Sequence, residues 1–336
     1  MQRGAVPQKV QLFGYVVGEN APVVLICPGG AYKFISDFNE GEPFAREFNK
    51  RGINAFVLFY SVGYNARYPR PVKDVARSMQ FIKANAERLC VDGNNISLMG
   101  SSAGGHLCAF FSSQCERYET EYCGKEYSLK PKTLMLCYPL ITMGEKTHKV
   151  SRRNFLGLFP GKTEINASSV EKLANGSFPP TFVWACEDDG TVDYNNSVML
   201  CDALRKNGVP HEFKLFKTGG HGIGLANGKE PEGSTVTSGQ KIQCCLQLLS
   251  RRTVFGIPGI KKHVPAGVPV DRSGWSGHCA NSEAEQQNLQ MKWNSVQAAV
   301  CRNKRQNLLQ TSKFVPGISR SKSTWNFEVP VVRSAD

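Results

Sequence analysis

Two serines stand side by side in Met99-Gly-Ser-Ser-Ala-Gly-Gly-His106, and a serine flanked by glycines is a candidate nucleophile. A hydroxyl attacks a carbonyl carbon at neutral pH only when a neighbouring base takes its proton. Glycine spacing separates the two serines. Ser102 has Gly100 two residues before it and Gly104 two residues after it, whereas Ser101 would need glycines where Met99 and Ala103 stand. Such spacing suits a sharp strand-to-helix turn, because a side chain at either glycine would hold strand and helix apart. A turn whose serine merely caps the helix has the same local pattern, so the remaining chemistry must be sought elsewhere in the chain.

Six histidines compete to be the base. His221, within Lys217-Thr-Gly-Gly-His-Gly-Ile-Gly-Leu225, directly follows a β-rich run at 211–217. The others fit less well: His148 lies in an irregular stretch, His263 and His278 in the C-terminal tail, and His211 at the start of a strand. His106, on the first helical turn after Ser102, is placed to pack or cap. An acid to orient the imidazole is offered by Glu187-Asp188-Asp189-Gly-Thr-Val192. Asp189 fits best, since Asp-x-x-Val sets the acid at the head of a turn anchored by Val192, with Asp188 as the alternative. Backbone N–H groups for a developing oxyanion are expected in Cys27-Pro-Gly-Gly-Ala-Tyr32, at Gly30 or Ala31, together with the N–H of Ala103. In chain order the candidates run Ser102, Asp189, His221, each just after a β-rich run.

The elements that must position these groups alternate. Apolar runs at 22–30, 53–60, 95–100, 133–141, 180–187 and 211–217 read as strands, and 9–17 as an antiparallel edge hairpin partner. Between them, 40–52, 72–89, 104–115 and 195–208 carry apolar residues at helical spacing. The alternation predicts an α/β fold with a mainly parallel twisted sheet and helices on both faces. Residues 142–178 break the rhythm and read as a small cap or long loop. The catalytic domain is expected to span 1–251 and close with a helix near 240–250.

Taken together, CPGGAYKFIS, NEGEPFAREFNKRG, FYSVG, GSSAGGHL, EDDGTV and GGHGIGL resemble bacterial α/β-hydrolase esterases of the acetyl esterase and acetylxylan-esterase-like type, which are related to feruloyl esterases. The likeness covers about residues 10–250. It implies an α/β-hydrolase fold and a Ser102–His221–Asp189 triad, with Gly30, Ala31 and Ala103 at the oxyanion site. It also implies a cofactor-free and metal-free enzyme acting on short acyl esters, including acetylated sugars. Bulky Tyr32 and Phe34 after the oxyanion turn favour short acyl groups. Ser61 stands where relatives commonly carry Arg, and Asp193 where they often carry Pro. A peptidase or amidase on the same fold, or a silent binding protein, are the competing readings; no internal repeat exists to build the propeller that such a peptidase usually carries.

Composition limits the partners. The 336-residue chain is 41% hydrophobic and carries a formal charge of +13. Residues 252–336 hold 12 Lys and Arg against 5 Asp and Glu, so over half of the excess lies in that last quarter. With its Pro/Gly-rich start and polar middle, this basic extension is expected to be poorly ordered. It lacks the aromatic interleaving of a nucleic-acid binder, so nucleic acid is not expected as a partner. The start MQRGAVPQKV has no apolar block of a secretory signal, and no apolar run suits a bilayer. Twelve scattered cysteines without CxxC pairs read as reduced, buried hydrophobes. A cytoplasmic location and a small-molecule or oligosaccharide ester substrate follow as expectations.

Overall fold

The computed structural model describes residues 10–124, 126–225, 318–321 and 324–328. Along the chain run β1 (Gln11–Tyr15), β2 (Ala21–Cys27), α1 (Asp37–Glu40), α2 (Glu42–Asn49), β3 (Asn54–Phe59), α3 (Arg70–Ala84), α4 (Ala86–Leu89) and β4 (Val91–Ser101). There follow α5 (Ser102–Ser112), α6 (Cys115–Cys123), β5 (Leu134–Cys137), α7 (Lys149–Leu156), α8 (Lys162–Ala167), β6 (Thr181–Cys186), α9 (Asn195–Lys206) and β7 (His211–Phe216). Two short strands, β8 (Ile318–Ser321) and β9 (Thr324–Glu328), come last.

One sheet runs β7-β6-β5-β4-β2-β3-β1-β9-β8, parallel from β7 through β3. Strands buried on both faces need apolar residues at every position, which is why VVLIC and TFVWAC read as continuous runs. Alternate side chains feed two cores. Leu25, Leu98, Leu136 and Val183 pack on one face, and Val24, Ile26, Met99, Met135 and Trp184 on the other. Helix α5 is buried along its whole length, as its run of small and apolar residues requires.

The six parallel-strand expectations hold, and the first strand needs correcting. β1 is antiparallel, but it pairs with β3 rather than forming a hairpin with β2, and β9 covers its other side. It is therefore not an edge strand. Part of the basic tail thus extends the sheet as β9 and β8, where a separate extension was expected. Short strands that complete an edge carry little hydrophobic signal of their own, because their partner supplies the hydrogen bonds. The rest of 252–317, and the closing helix expected near 240–250, lie outside the described residues. Among the described residues no helix is long and apolar enough to cross a membrane.

Candidate active site

Register brings the functional turns together before any side chain is considered. Cys27 of β2 pairs with Gly100 of β4, so the turn at 28–32 and the turn at Ser102 leave neighbouring strands at the same level. On the other side, Cys186 of β6 pairs with Phe216 of β7, which releases the acid loop and the histidine loop side by side. All four emerge at the carboxyl ends of parallel strands, where loops of an open α/β sheet converge.

At the first turn, β4 passes directly into α5, and Ser102 takes φ +53°. The left-handed region is costly for a residue with a Cβ, and such strain persists only where the surroundings enforce it. Here the glycines provide the enforcement. A Cβ on Gly100 would run into the Gly104 carbonyl, and one on Gly104 into the carbonyl oxygens of Cys27 and Pro28. Strand, helix and the 28–32 turn are therefore packed backbone against backbone, with Ser102 held at their junction. Ser101, the last residue of β4, keeps an extended conformation and is buried.

The Ser102 Oγ lies 2.8 Å from His221 Nε2, and His221 Nδ1 lies 2.7 Å from Asp189 Oδ2. The Asp189 side chain is fully buried and that of His221 is 15% exposed, so solvent screens this chain of contacts little. Asp189 Oδ1 is fixed in turn by the N–H groups of Thr191 and Val192, both at 2.9 Å. The expected Asp-x-x-Val turn is thus observed. Asp188 faces elsewhere: its carboxylate accepts the N–H groups of Gly219 (3.1 Å) and Gly220 (2.8 Å), tying down the loop that carries His221. Of two adjacent acids, one touches the imidazole and the other anchors its backbone.

In the 28–32 turn, Gly30, Ala31 and Tyr32 all have positive φ. Only the first is a glycine, so the turn is held from outside. Tyr60 donates its hydroxyl to the Pro28 carbonyl (2.7 Å), and Asn154 of α7 donates to the Ala31 carbonyl (2.8 Å). The Gly29 backbone packs so closely that a Cβ there would sit 3.0 Å from Ser102 Cβ. Gly29 N–H is committed to Glu40 Oε2 at 2.7 Å, which leaves Gly30 and Ala31 as the turn's candidates to meet an oxyanion. Ala103 is the second residue of α5, where an N–H has no acceptor within the helix. Three of the expected site groups are brought to the same junction as the Ser102 hydroxyl.

Tyr32 corrects an expectation. Its side chain turns into the core, fully buried, and its hydroxyl donates to His106 Nδ1 at 2.8 Å, so it is not a bulky surface group beside the turn. Phe34, by contrast, is half-exposed. His106 packs face to face with Phe110, and its Nε2 lies 2.9 Å from the Ser168 carbonyl oxygen. Burial without a charged partner pushes its pKa down to about 4, so it is a neutral structural group.

Sequence reasoning missed Glu40 and Tyr138. Glu40, 2% exposed, accepts the Tyr138 hydroxyl on Oε1 (2.7 Å), and the same hydroxyl accepts the Gly224 N–H (3.1 Å). The Tyr138 ring stands 4.9 Å from the His221 ring. Burial raises the Glu40 carboxyl above its ordinary range, and the hydrogen bonds from Tyr138 and Gly29 and the nearby His221 pull it partly back. In sequence, Glu40 looked like the polar start of an amphipathic helix. Nothing local marks it as buried.

A parallel sheet with flanking helices, a serine on a strained strand-to-helix turn and a histidine after the following strands define an α/β-hydrolase. The chain belongs to the BD-FAE family, whose pattern matches residues 16–204. It is 36% identical over 224 residues to an endo-1,4-beta-xylanase B of Butyrivibrio fibrisolvens, covering 64% of this chain and 35% of that protein. It is 30% identical over 203 residues to an acetylxylan esterase of Xylanibacter ruminicola, covering 59% and 40%. The chain therefore matches only about a third to two fifths of the length of these curated relatives. Among solved structures, an acetyl ester-xyloside bifunctional hydrolase of Caldicellulosiruptor lactoaceticus aligns with a TM-score of 0.65 and 30% identity, over 74% of this chain and 91% of that one.

Proposed function

We propose that this chain is a serine carboxylic ester hydrolase that removes short acyl groups, acetyl esters of sugars foremost, through an acyl-enzyme intermediate. The observation that carries the reading is the continuous hydrogen-bonded chain from buried Asp189 through His221 to the Ser102 hydroxyl. In this mechanism His221 Nε2 takes the proton as Ser102 Oγ bonds to the acyl carbon. The carbonyl oxygen, now negative, is met by N–H groups of Gly30 or Ala31 and of Ala103. Collapse breaks the bond to the alcohol oxygen, which receives the proton from His221. Water then repeats the sequence and frees the acid. Asp189 holds the proton on Nδ1, so that Nε2 presents a lone pair to the serine. The names of the similar proteins, which act on acetyl esters and xylosides, support an acetylated sugar or oligosaccharide as substrate.

The same reading places the enzyme in a reducing compartment such as the cytoplasm, supported by free thiols at Cys27, Cys108, Cys115, Cys123, Cys137 and Cys201. The test is hydrolysis of p-nitrophenyl acetate and acetylated xylo-oligosaccharides by the wild type and three variants. Ser102→Ala and His221→Ala are expected to lose hydrolysis while staying folded, and Ser101→Ala to keep most of it. An active Ser102→Ala enzyme, or faster cleavage of anilides than of esters, would overturn the proposal.

A further inference from the structure

The segment Ser36–Glu40 touches two loops that meet nowhere in sequence. On one side it holds the oxyanion turn at both polar atoms of a single residue: Ser36 N–H donates to the Gly29 carbonyl (3.1 Å), and Glu40 Oε2 accepts the Gly29 N–H (2.7 Å). On the other side it holds the histidine loop. Asn39 Nδ2 donates to the Gly222 carbonyl oxygen at 2.5 Å, and Glu40 Oε1 reaches the Gly224 N–H through the Tyr138 hydroxyl. Gly224 lies against the Asn39 carbonyl so tightly that a Cβ would collide with it, and its φ is +52°. Within the segment, Ser36 Oγ donates to Asn39 Oδ1 at 2.7 Å, which leaves the Asn39 amide nitrogen aimed at Gly222.

We infer that Ser36–Glu40 is a bracket that sets the spacing between the oxyanion donors and the base, with Glu40 as the positioning residue common to both. It rests on the esterase reading above. A carboxylate is chemically apt because each oxygen accepts from a different loop; an amide offers one acceptor and one donor, so Glu40→Gln can satisfy Gly29 only by turning its NH2 toward Tyr138. Burying a carboxylate costs free energy, and one that merely filled space would be replaced at no loss by an apolar residue. The arrangement matters because oxyanion donors and general base act on the same carbonyl group at once, and a misplacement of about 1 Å can cost on the order of 10²-fold in rate.

The experiment compares wild type, Glu40→Gln, Asn39→Ala, Tyr138→Phe and the Glu40→Gln/Tyr138→Phe double variant. Active sites are counted with a reactive organophosphate, so that misfolded molecules do not enter kcat. Glu40→Gln is expected to lower kcat per counted site roughly 10–100-fold with KM for p-nitrophenyl acetate within about threefold, and Asn39→Ala about 3–10-fold. The double variant should fall little below Glu40→Gln alone, because both changes cut one connection. An additional readout needs no turnover: hydrogen exchange of the segments 28–32 and 219–225 should quicken together in Glu40→Gln. The inference is overturned if kcat per counted site stays within about twofold of wild type, or if exchange quickens in the 28–32 segment alone. If the wild type itself cleaves no ester, the esterase reading fails, and the paired exchange response still decides the bracket.

Discussion

Asp189→Asn tests the site most sharply, since the structure states what the amide must do. Asp189 Oδ1 accepts two backbone N–H groups, from Thr191 and Val192, and only the amide oxygen of an asparagine can replace it there. The NH2 group is then turned toward His221 Nδ1, now as a donor. To accept it, the imidazole must carry its proton on Nε2, the atom that lies 2.8 Å from Ser102 Oγ. In that tautomer the histidine cannot take the serine proton. A wrong tautomer of this kind costs about 10⁴-fold in kcat, which corresponds to roughly 5 kcal/mol of transition-state stabilisation. Asp188→Asn keeps one acceptor for the Gly219 and Gly220 N–H groups and leaves the tautomer alone, so a loss of about 3–30-fold is expected from a loosened loop. Initial rates on p-nitrophenyl acetate, with melting temperatures to confirm folding, give both numbers. Should Asp189→Asn retain a tenth or more of wild-type kcat, or Asp188→Asn prove the more damaged, the assignment of the acid is refuted.

At φ +53°, Ser102→Gly should be more stable than Ser102→Ala by about 1 kcal/mol, although in an ordinary helix Gly is the worse residue by about that amount; thermal melts of the two inactive variants decide the order. Neutral His106, with its pKa at about 4 against 6.5 when unfolded, binds fewer protons folded than unfolded between those values. Its contribution to stability is therefore complete above about pH 6.5 and falls by roughly 3 kcal/mol as pH drops to 4. Raised carboxyls such as Glu40 and Asp74 act in the opposite sense, since the folded state keeps their protons longer as pH rises. His106→Gln, which can still donate to Ser168 and accept from Tyr32, should flatten the loss when denaturation midpoints are compared from pH 7 to 4; equal slopes would contradict the argument. Shortening the chain to end at Arg251 removes β9 from β1, on the side of the sheet away from Ser102. Specific activity should stay within about twofold while the bared β1 edge raises aggregation and lowers the melting point; loss of activity in the soluble fraction would show that the tail acts on the site.

By itself, the sequence determined the parallel strands, the helix after Ser102, the register of the strand-to-helix turn and the order of the candidate serine, acid and histidine. These are local matters. Continuous apolar runs can be satisfied only in a buried sheet, and the Gly100 and Gly104 pattern is imposed by backbone contact with residues a few positions away. It narrowed the acid to two neighbours, because either could end strand β6. Tertiary structure sets Asp189, not Asp188, against His221, since which carboxylate faces the imidazole depends on the turn that Val192 N–H closes. Only the fold could show that Tyr32 points inward, that β1 pairs with β3 between it and β9, and that Glu40 is buried between two loops. Each of these depends on residues far apart in the chain, more than 310 positions in the pairing of Leu12 with Phe327 and Phe13 with Asn326, or on a carboxylate whose cost of burial is offset only by donors from other strands. Hydrophobic pattern reports how much of a residue is hidden, not which polar groups meet it there.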